Sequence, residues 1–308
     1  MGGQEKWFIE RQRAQSAAVK RQKDAFTLIE LLVVLFIISL MMGIMLPVLA
    51  KVRQKAKVVL DTGNQGKVVQ ALNCFASDND ESYPESVATI GFGEHFNWQE
   101  PTMLTGYRER SQLIHRSMSA YLRTYIREAA VMFCPCAPRE YKFLQQAWDA
   151  GDQWDNPATI PNKDPVFGTH CYYWNYMGFL EQDGRVFRGP RGPDAGRTDS
   201  KLLVTDYFGF DHWRSPGAYG SSRRFSWAQI AEGTNVSSAY WELSGCRDST
   251  NLQTLKICLN AGFTDGHVES YTPADVVPMR VSITPDGTIP YPDGADGGIF
   301  YLPKSALP

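Results

Sequence analysis

The chain has 308 residues, 43% of them hydrophobic, which allows one or two packed domains and excludes wholesale disorder. A net charge of −2 and a pI near 6.2 give no global attraction to nucleic acid, and no basic tract with interleaved aromatics runs through the body of the chain. Nucleic acid is therefore not an expected partner.

Residues 1–25 are polar, with Lys6, Arg11, Arg13, Lys20, Arg21 and Lys23 against Glu5, Glu10 and Asp24. Such a flank suits the cytoplasmic side of a membrane, although Lys51, Arg53, Lys55 and Lys57 beyond the next segment nearly balance it. Charge counting alone leaves the orientation open. From Phe26 to Leu46 every residue is apolar or small except Thr27, Glu30 and Ser39, and at ~1.5 Å per residue this run spans ~30 Å of hydrocarbon. A secretory signal would have a shorter apolar core of roughly 7 to 15 residues followed by a small-residue cleavage site. Glu30 is anomalous in such a run, because an unpaired charge at membrane depth costs at least ~2.5 kcal/mol.

Past the span, Val48, Val52, Ala56 and Val59, then Val68, Leu72 and Phe75, recur every three or four residues. The pattern predicts an amphipathic continuation of one helix over residues 48–78, loosened or kinked at Gly43 and Pro47, with Gly63 and Gly66 as a second soft point. The cluster "SDNDESYPES" predicts its end.

The residues "FTLIELLVVLFIISLMMGIMLP" resemble the N-terminal processing and methylation segment of type IV pilins and type II secretion pseudopilins. The resemblance implies cleavage between Ala25 and Phe26 by a prepilin peptidase, which also methylates the new Phe26 amine. It places the carboxylate fifth in the mature chain, at Glu30, and a helix-softening proline twenty-second, at Pro47. Glu30 is then implied to neutralise the Phe26 amine of a neighbouring subunit during assembly. This chain departs from the family in having Ala25 where glycine normally precedes the cut. Further on, "ALNCFASDNDESYPES", "VMFCPCAP", "HCYYWNYMGFL", "KLLVTDYF" and "NAGFTDGHVESYTPADV" resemble successive blocks of large pilin-like proteins with a C-terminal H-x9-DG element. Asp265 and Gly266 supply the DG, but Leu255 stands ten residues before Asp265 in place of the histidine.

In the rest of the chain, "FTDGHVESY" reads as a hairpin around Asp265 and Gly266, with His267 following and Phe263, Val268 and Tyr271 flanking. A sharper reading makes Asp265, His267 and Asp206 ligands or acid-base groups, but no nucleophile elbow, Walker loop or His-x3-His accompanies them. Asp78, Asp80 and Glu81 could hold calcium, without EF-hand spacing; the alternative is a solvated helix-ending turn. Cys74, Cys134, Cys136, Cys171, Cys246 and Cys258 allow up to three disulfides outside the cytoplasm, of which we expect one or two. The aromatics of "HCYYWNYMGF" and "SSAYWELS" fit either a core or a carbohydrate-stacking surface, and strand spacing favours the core. "RGPRGPDAGR" and "TPDGTIPYPDGADGG" read as surface loops.

The expected architecture is α+β: a leader over 1–25, a membrane and assembly helix over 26–47, its amphipathic continuation over 48–78, and a head over 79–308. In the head, the helix packs on an antiparallel sheet from about 86 to 285, with a loop-rich region near 85 to 170. The resemblance implies a filament subunit of a type IV pilus-like or type II secretion pseudopilus fibre, with no enzymatic activity and no cofactor unless calcium. Its partners would be the peptidase and methyltransferase, other subunits and the inner membrane, with the head extracytoplasmic. The competing class is a membrane-tethered extracytoplasmic enzyme or carbohydrate-binding protein on a similar anchor.

Overall fold

The computed structural model describes residues 27–90, 97–98, 100–106, 115–135, 144–155, 166–180, 185–194, 196–197, 199–210, 216–218, 258–281 and 298–307. The chain divides into two compact units, Met1–Val52 and Arg53–Pro308.

Helix α1 (Leu28–Asp78) begins in the first unit and ends in the second, running unbroken through Gly43 and Pro47. In the first unit its apolar residues are exposed, Leu28 at 81% and Leu46 at 68%. In the second unit burial begins at Asp61 and takes in Asn64, Gln65, Val68, Val69, Ala71, Leu72 and Ala76. Of the periodic apolar series, Val68 and Leu72 are buried and Phe75 is half-buried, whereas Val48, Val52, Ala56 and Val59 are exposed. The packed stretch is thus shorter than the amphipathic pattern suggests, and it opens with polar residues.

The helix ends where the turn residues predict, by a cap that needs left-handed backbone. The Glu81 N–H reaches back to the Ala76 carbonyl at 2.9 Å, and the Asn79 side chain donates to the Phe75 carbonyl at 2.7 Å. Asp80 and Glu81 sit at φ 51° and 54°, so Asp80 occupies the position that glycine usually fills in a six-to-one helix cap. Tyr83 then returns the chain to the helix, its hydroxyl donating to Asn73 at 2.6 Å.

Two antiparallel sheets carry the head, where one had been expected. The four-stranded sheet has the order β10 (Val268–Tyr271), β9 (Leu259–Phe263), β6 (Leu202–Asp206), β3 (His170–Tyr172). The six-stranded sheet has the order β5 (Val186–Arg188), β4 (Met177–Leu180), β11 (Val276–Val281), β12 (Ile299–Pro303), β7 (Phe208–Phe210), β8 (Pro216–Ala218). A two-stranded pair, β1 (Thr89–Ile90) with β2 (Asn97–Trp98), stands apart. β12 lies beyond the expected limit near 285; its apolar "IFYLP" pairs with both β11 and β7 and buries Phe300, Tyr301 and Leu302. The region near 85 to 170 contains the short helices α2 (Met118–Leu122) and α3 (Leu144–Ala150) between its loops.

α1 lies on the four-stranded sheet. An ideal Cβ on Gly262 of β9 would stand 2.8 Å from Val69 Cγ2, and one on Gly66 would meet Val268 at 4.0 Å. Tyr172, Tyr173, Trp174 and Tyr176 are each no more than 2% exposed, so this part of the aromatic run fills the core. The "SSAYWELS" stretch lies outside the described residues.

Candidate functional sites

At the start of α1, Thr27 and Glu30 form a reciprocal cap. The Glu30 N–H donates to Thr27 Oγ1 at 3.3 Å, while the Thr27 N–H and hydroxyl donate to Glu30 Oε2 at 2.8 and 2.7 Å. This is a capping box spelled T-x-x-E, which satisfies amide groups that a helix start otherwise leaves without partners. Both bonds converge on one oxygen, and Oε1 retains its accepting capacity. Ala25 and Phe26 lie outside the described residues; Pro47 sits inside α1.

Deeper in the chain, a polar cluster occupies the space between α1 and the four-stranded sheet. Asp61 projects from α1, Cys134 follows the 3-10 turn Ala129–Met132, His170 opens β3, and Asp206 closes β6. His170 and Asp206 are direct partners in the β3–β6 register. His170 Nε2 lies 3.0 Å from Asp61 Oδ1 and 3.8 Å from Asp206 Oδ1. Asn260 of β9 braces both carboxylates: its side-chain amide donates to Asp61 Oδ2 at 2.8 Å and its backbone N–H to Asp206 Oδ2 at 2.7 Å. Ser270 on β10 donates to Asn260 Oδ1 at 2.8 Å, and Gln65 Nε2 reaches Asp206 Oδ1 at 3.3 Å. Burial alone pushes the Asp61 carboxyl up. The hydrogen bond and charge of His170, with hydrogen bonds from the Cys134 thiol and Asn260, outweigh it and hold the pKa below the ordinary carboxylate value.

The hairpin around Asp265 forms, with a loop one residue longer than the two-residue turn. The Gly266 N–H donates to the Phe263 carbonyl and the Phe263 N–H to the His267 carbonyl, both at 3.0 Å, so Thr264, Asp265 and Gly266 make the loop. Gly266 sits at φ 93°, the left-handed residue that a three-residue hairpin loop requires. Asp265 is bonded to the backbone and ring of His267, which stacks on Phe263 at 4.6 Å. A surface cleft of about 640 Å³ opens beside them, lined by Lys201, His267, Glu269 and Ser305 among others. Ser305 donates to Glu269 Oε1, while His267 is bonded to Asp265 through Nδ1 and faces Glu269 Oε2 at 4.0 Å through Nε2, so no direct hydroxyl–imidazole pair is formed by these contacts. Asp206 is fully buried and Asp265 exposed, which separates two residues that one sharper sequence reading had grouped.

Asp78, Asp80 and Glu81 form the exposed end of α1, where Asp78 accepts the Tyr125 hydroxyl at 2.7 Å. Cys74 and Cys171 carry free thiols, and no disulfide joins any two of Cys74, Cys134, Cys171 and Cys258 among the described residues. Cys136 and Cys246 lie outside them. Sequence reasoning missed Asp61, Gln65 and His170. The available signal was that Asp61 and Gln65 share the helical stripe of Val68 and Leu72, at spacings of four, three and four.

Residues 20–46 match the family described as the prokaryotic N-terminal methylation motif. The match is consistent with a type IV pilin or pseudopilin-like prepilin signal and favours a structural subunit over an enzyme. A search of curated proteins and a search of solved structures each returned no match.

Proposed function

We propose that the chain is the precursor of a filament subunit of a type IV pilus-like or type II secretion pseudopilus fibre. The observation that carries this reading is the methylation motif over 20–46, which coincides with a helix whose apolar side chains are exposed from Leu28 onward. A prepilin peptidase cuts between Ala25 and Phe26 on the cytoplasmic face and methylates the new amine. Before assembly, α1 holds the subunit in the inner membrane as a single pass, with the leader inside and the head outside. That orientation rests on the cytoplasmic cut the motif implies, since the charges flanking the span nearly balance.

Glu30 serves two purposes in this scheme. Its Oε2 caps α1 through Thr27, and its Oε1 receives the Phe26 amine of a neighbouring subunit during assembly. Pairing offsets the desolvation that either lone charge would meet at membrane depth. Pro47 removes one helix hydrogen bond near the end of the span and gives the helix local freedom during packing.

Mass spectrometry of the N-terminus, from membrane and sheared-surface fractions, tests the scheme directly. It should find chains beginning at methylated Phe26 in the sheared fraction. Chains that begin only before Phe26 in both fractions would overturn it.

A further inference from the structure

Asp61, Cys134, His170 and Asp206 bring four metal-ligating atoms within 4.8 Å of one another. Asp61, His170 and Asp206 are 0% exposed and Cys134 is 3% exposed. A tetrahedral ion with bonds of ~2.0 to 2.3 Å places its ligand atoms ~3.3 to 3.8 Å apart. Closing the widest pair therefore takes a movement of about 1 Å, the difference between 4.8 and 3.8 Å.

The surroundings are arranged as an outer shell. Asn260 binds Oδ2 of both aspartates and leaves each Oδ1 turned toward His170 Nε2. The Cys134 N–H is fixed on Thr169 Oγ1 at 2.8 Å. Hydrogen bonds of this kind orient metal ligands from behind. Gln65, 0% exposed, contacts the cluster through its amide nitrogen, yet its Oε1 has no hydrogen-bond partner; His170 Nδ1 has none either. Buried polar atoms without partners are uncommon, and here two of them border a single cluster.

We propose that Asp61, Cys134, His170 and Asp206 form a closed structural site for a divalent transition metal of the zinc class. The donor set selects the ion: calcium and magnesium take oxygen ligands, whereas zinc accepts thiolate, imidazole and carboxylate together. With four protein ligands no coordination position remains open for catalysis. On binding, the Cys134 thiol proton and the Nε2 proton of the charged His170 both leave to solvent, and His170 ligates through Nε2 with its remaining proton on Nδ1. Asp61 Oδ1 exchanges an imidazole contact for the ion. The ion would clamp α1, the segment after Met132, β3 and β6 to one another.

The test uses the full chain in detergent, stripped with chelator, reloaded with Zn²⁺ or Co²⁺ and desalted, with metal content measured by elemental mass spectrometry. One ion per chain is expected, with a thiolate-to-cobalt charge-transfer band in the Co²⁺ form. Cys74→Ser should keep the band and Cys134→Ser should lose it, while Asn260→Ala should weaken binding roughly 10- to 100-fold. A natively folded wild-type chain that retains no ion overturns the proposal, as does a band that survives in Cys134→Ser. If Cys134→Ser does not fold, the Cys74→Ser chain decides alone: an ion bound without a thiolate band refutes the site.

Discussion

Replacing Gly262 with alanine puts a methyl group where α1 rests on β9. An ideal Cβ there lies 2.8 Å from Val69 Cγ2 and 3.0 Å from Val204 Cγ1. Relaxed carbon contacts are ~3.5 to 4.0 Å, so the neighbours must withdraw by about 0.5 to 1.2 Å. Both valines are 0% exposed; Val69, on the helix, has essentially one χ1 rotamer, and Val204, on β6, is a β-branched residue of restricted χ1 packed on all sides, so neither swings aside freely. Overpacking of this kind costs ~1 to 3 kcal/mol. At ~2 to 4 °C per kcal/mol for a unit of this size, the unfolding midpoint should fall by ~2 to 12 °C. Near-ultraviolet circular dichroism of the full chain during heating reads the shift. The companion variant Val69→Ala removes the obstructing methyl groups, and the double variant should be more stable than additivity predicts by ~0.5 to 3 kcal/mol. A Gly262→Ala midpoint within about 1 °C of wild type, or strict additivity in the double variant, would refute the seating of α1 on β9 at this residue.

Three further outcomes follow from the same geometry. Glu30→Gln keeps an acceptor for the capping box but removes the charge, so both it and Glu30→Ala should fail to enter sheared filaments while the head stays folded; normal incorporation of Glu30→Gln sinks the charge-pairing role. Burial pushes the Cys171 thiol far above its ordinary pKa, so mass-mapped alkylation of the native chain should label exposed Cys74 and reach Cys171 only after denaturation; equal rates would contradict the buried strand. Burial, then the Glu81 carboxylate, raise the Tyr83 pKa, so its contribution to stability is complete below about pH 10 and is lost as pH rises through the folded-state value. Tyr83→Phe should lower the alkaline slope of the urea midpoint, and an unchanged slope would assign the loss to other groups.

The features legible in the sequence were those set by local chemistry. A run of twenty-one residues, all apolar or small but Thr27, Glu30 and Ser39, marked the start of α1, and the "SDNDESYP" cluster marked its end, where Asp80 and Glu81 indeed take left-handed backbone. Aspartate-glycine marked the β9–β10 hairpin, although the loop's third residue depends on the strand register and not on the pair alone. "TLIE" also spells a capping box, a signal that local chemistry provides. The long-range placements were not legible. β12 joins its sheet only because β11 and β7 present open edges to it. Asp61 and His170 meet across 109 positions of sequence, a separation over which no periodicity carries information.

Burial along α1 inverts the usual rule, and the inversion separates two environments within one helix. Apart from Val186, every large apolar side chain that stands exposed among the described residues lies between Leu28 and Leu60. Immediately afterward Asp61, Asn64 and Gln65 are at most 5% exposed. A water-facing helix would not leave so continuous an apolar surface uncovered, since exposed patches beyond a few hundred Å² mark contact with a membrane or a partner. Nor would a core bury an aspartate and two amides without supplying partners, and here Asn260, Asp206, His170 and the carbonyls of Ala130 and Phe133 supply them. The first stretch thus suits an apolar surrounding that the other described residues do not supply. The second is designed for a specific polar seat that the chain builds itself. The change between Leu60 and Asp61 therefore ends the exposed apolar stretch of α1 one helical turn past Lys57, well beyond Leu46, where the run long enough to cross a bilayer stops.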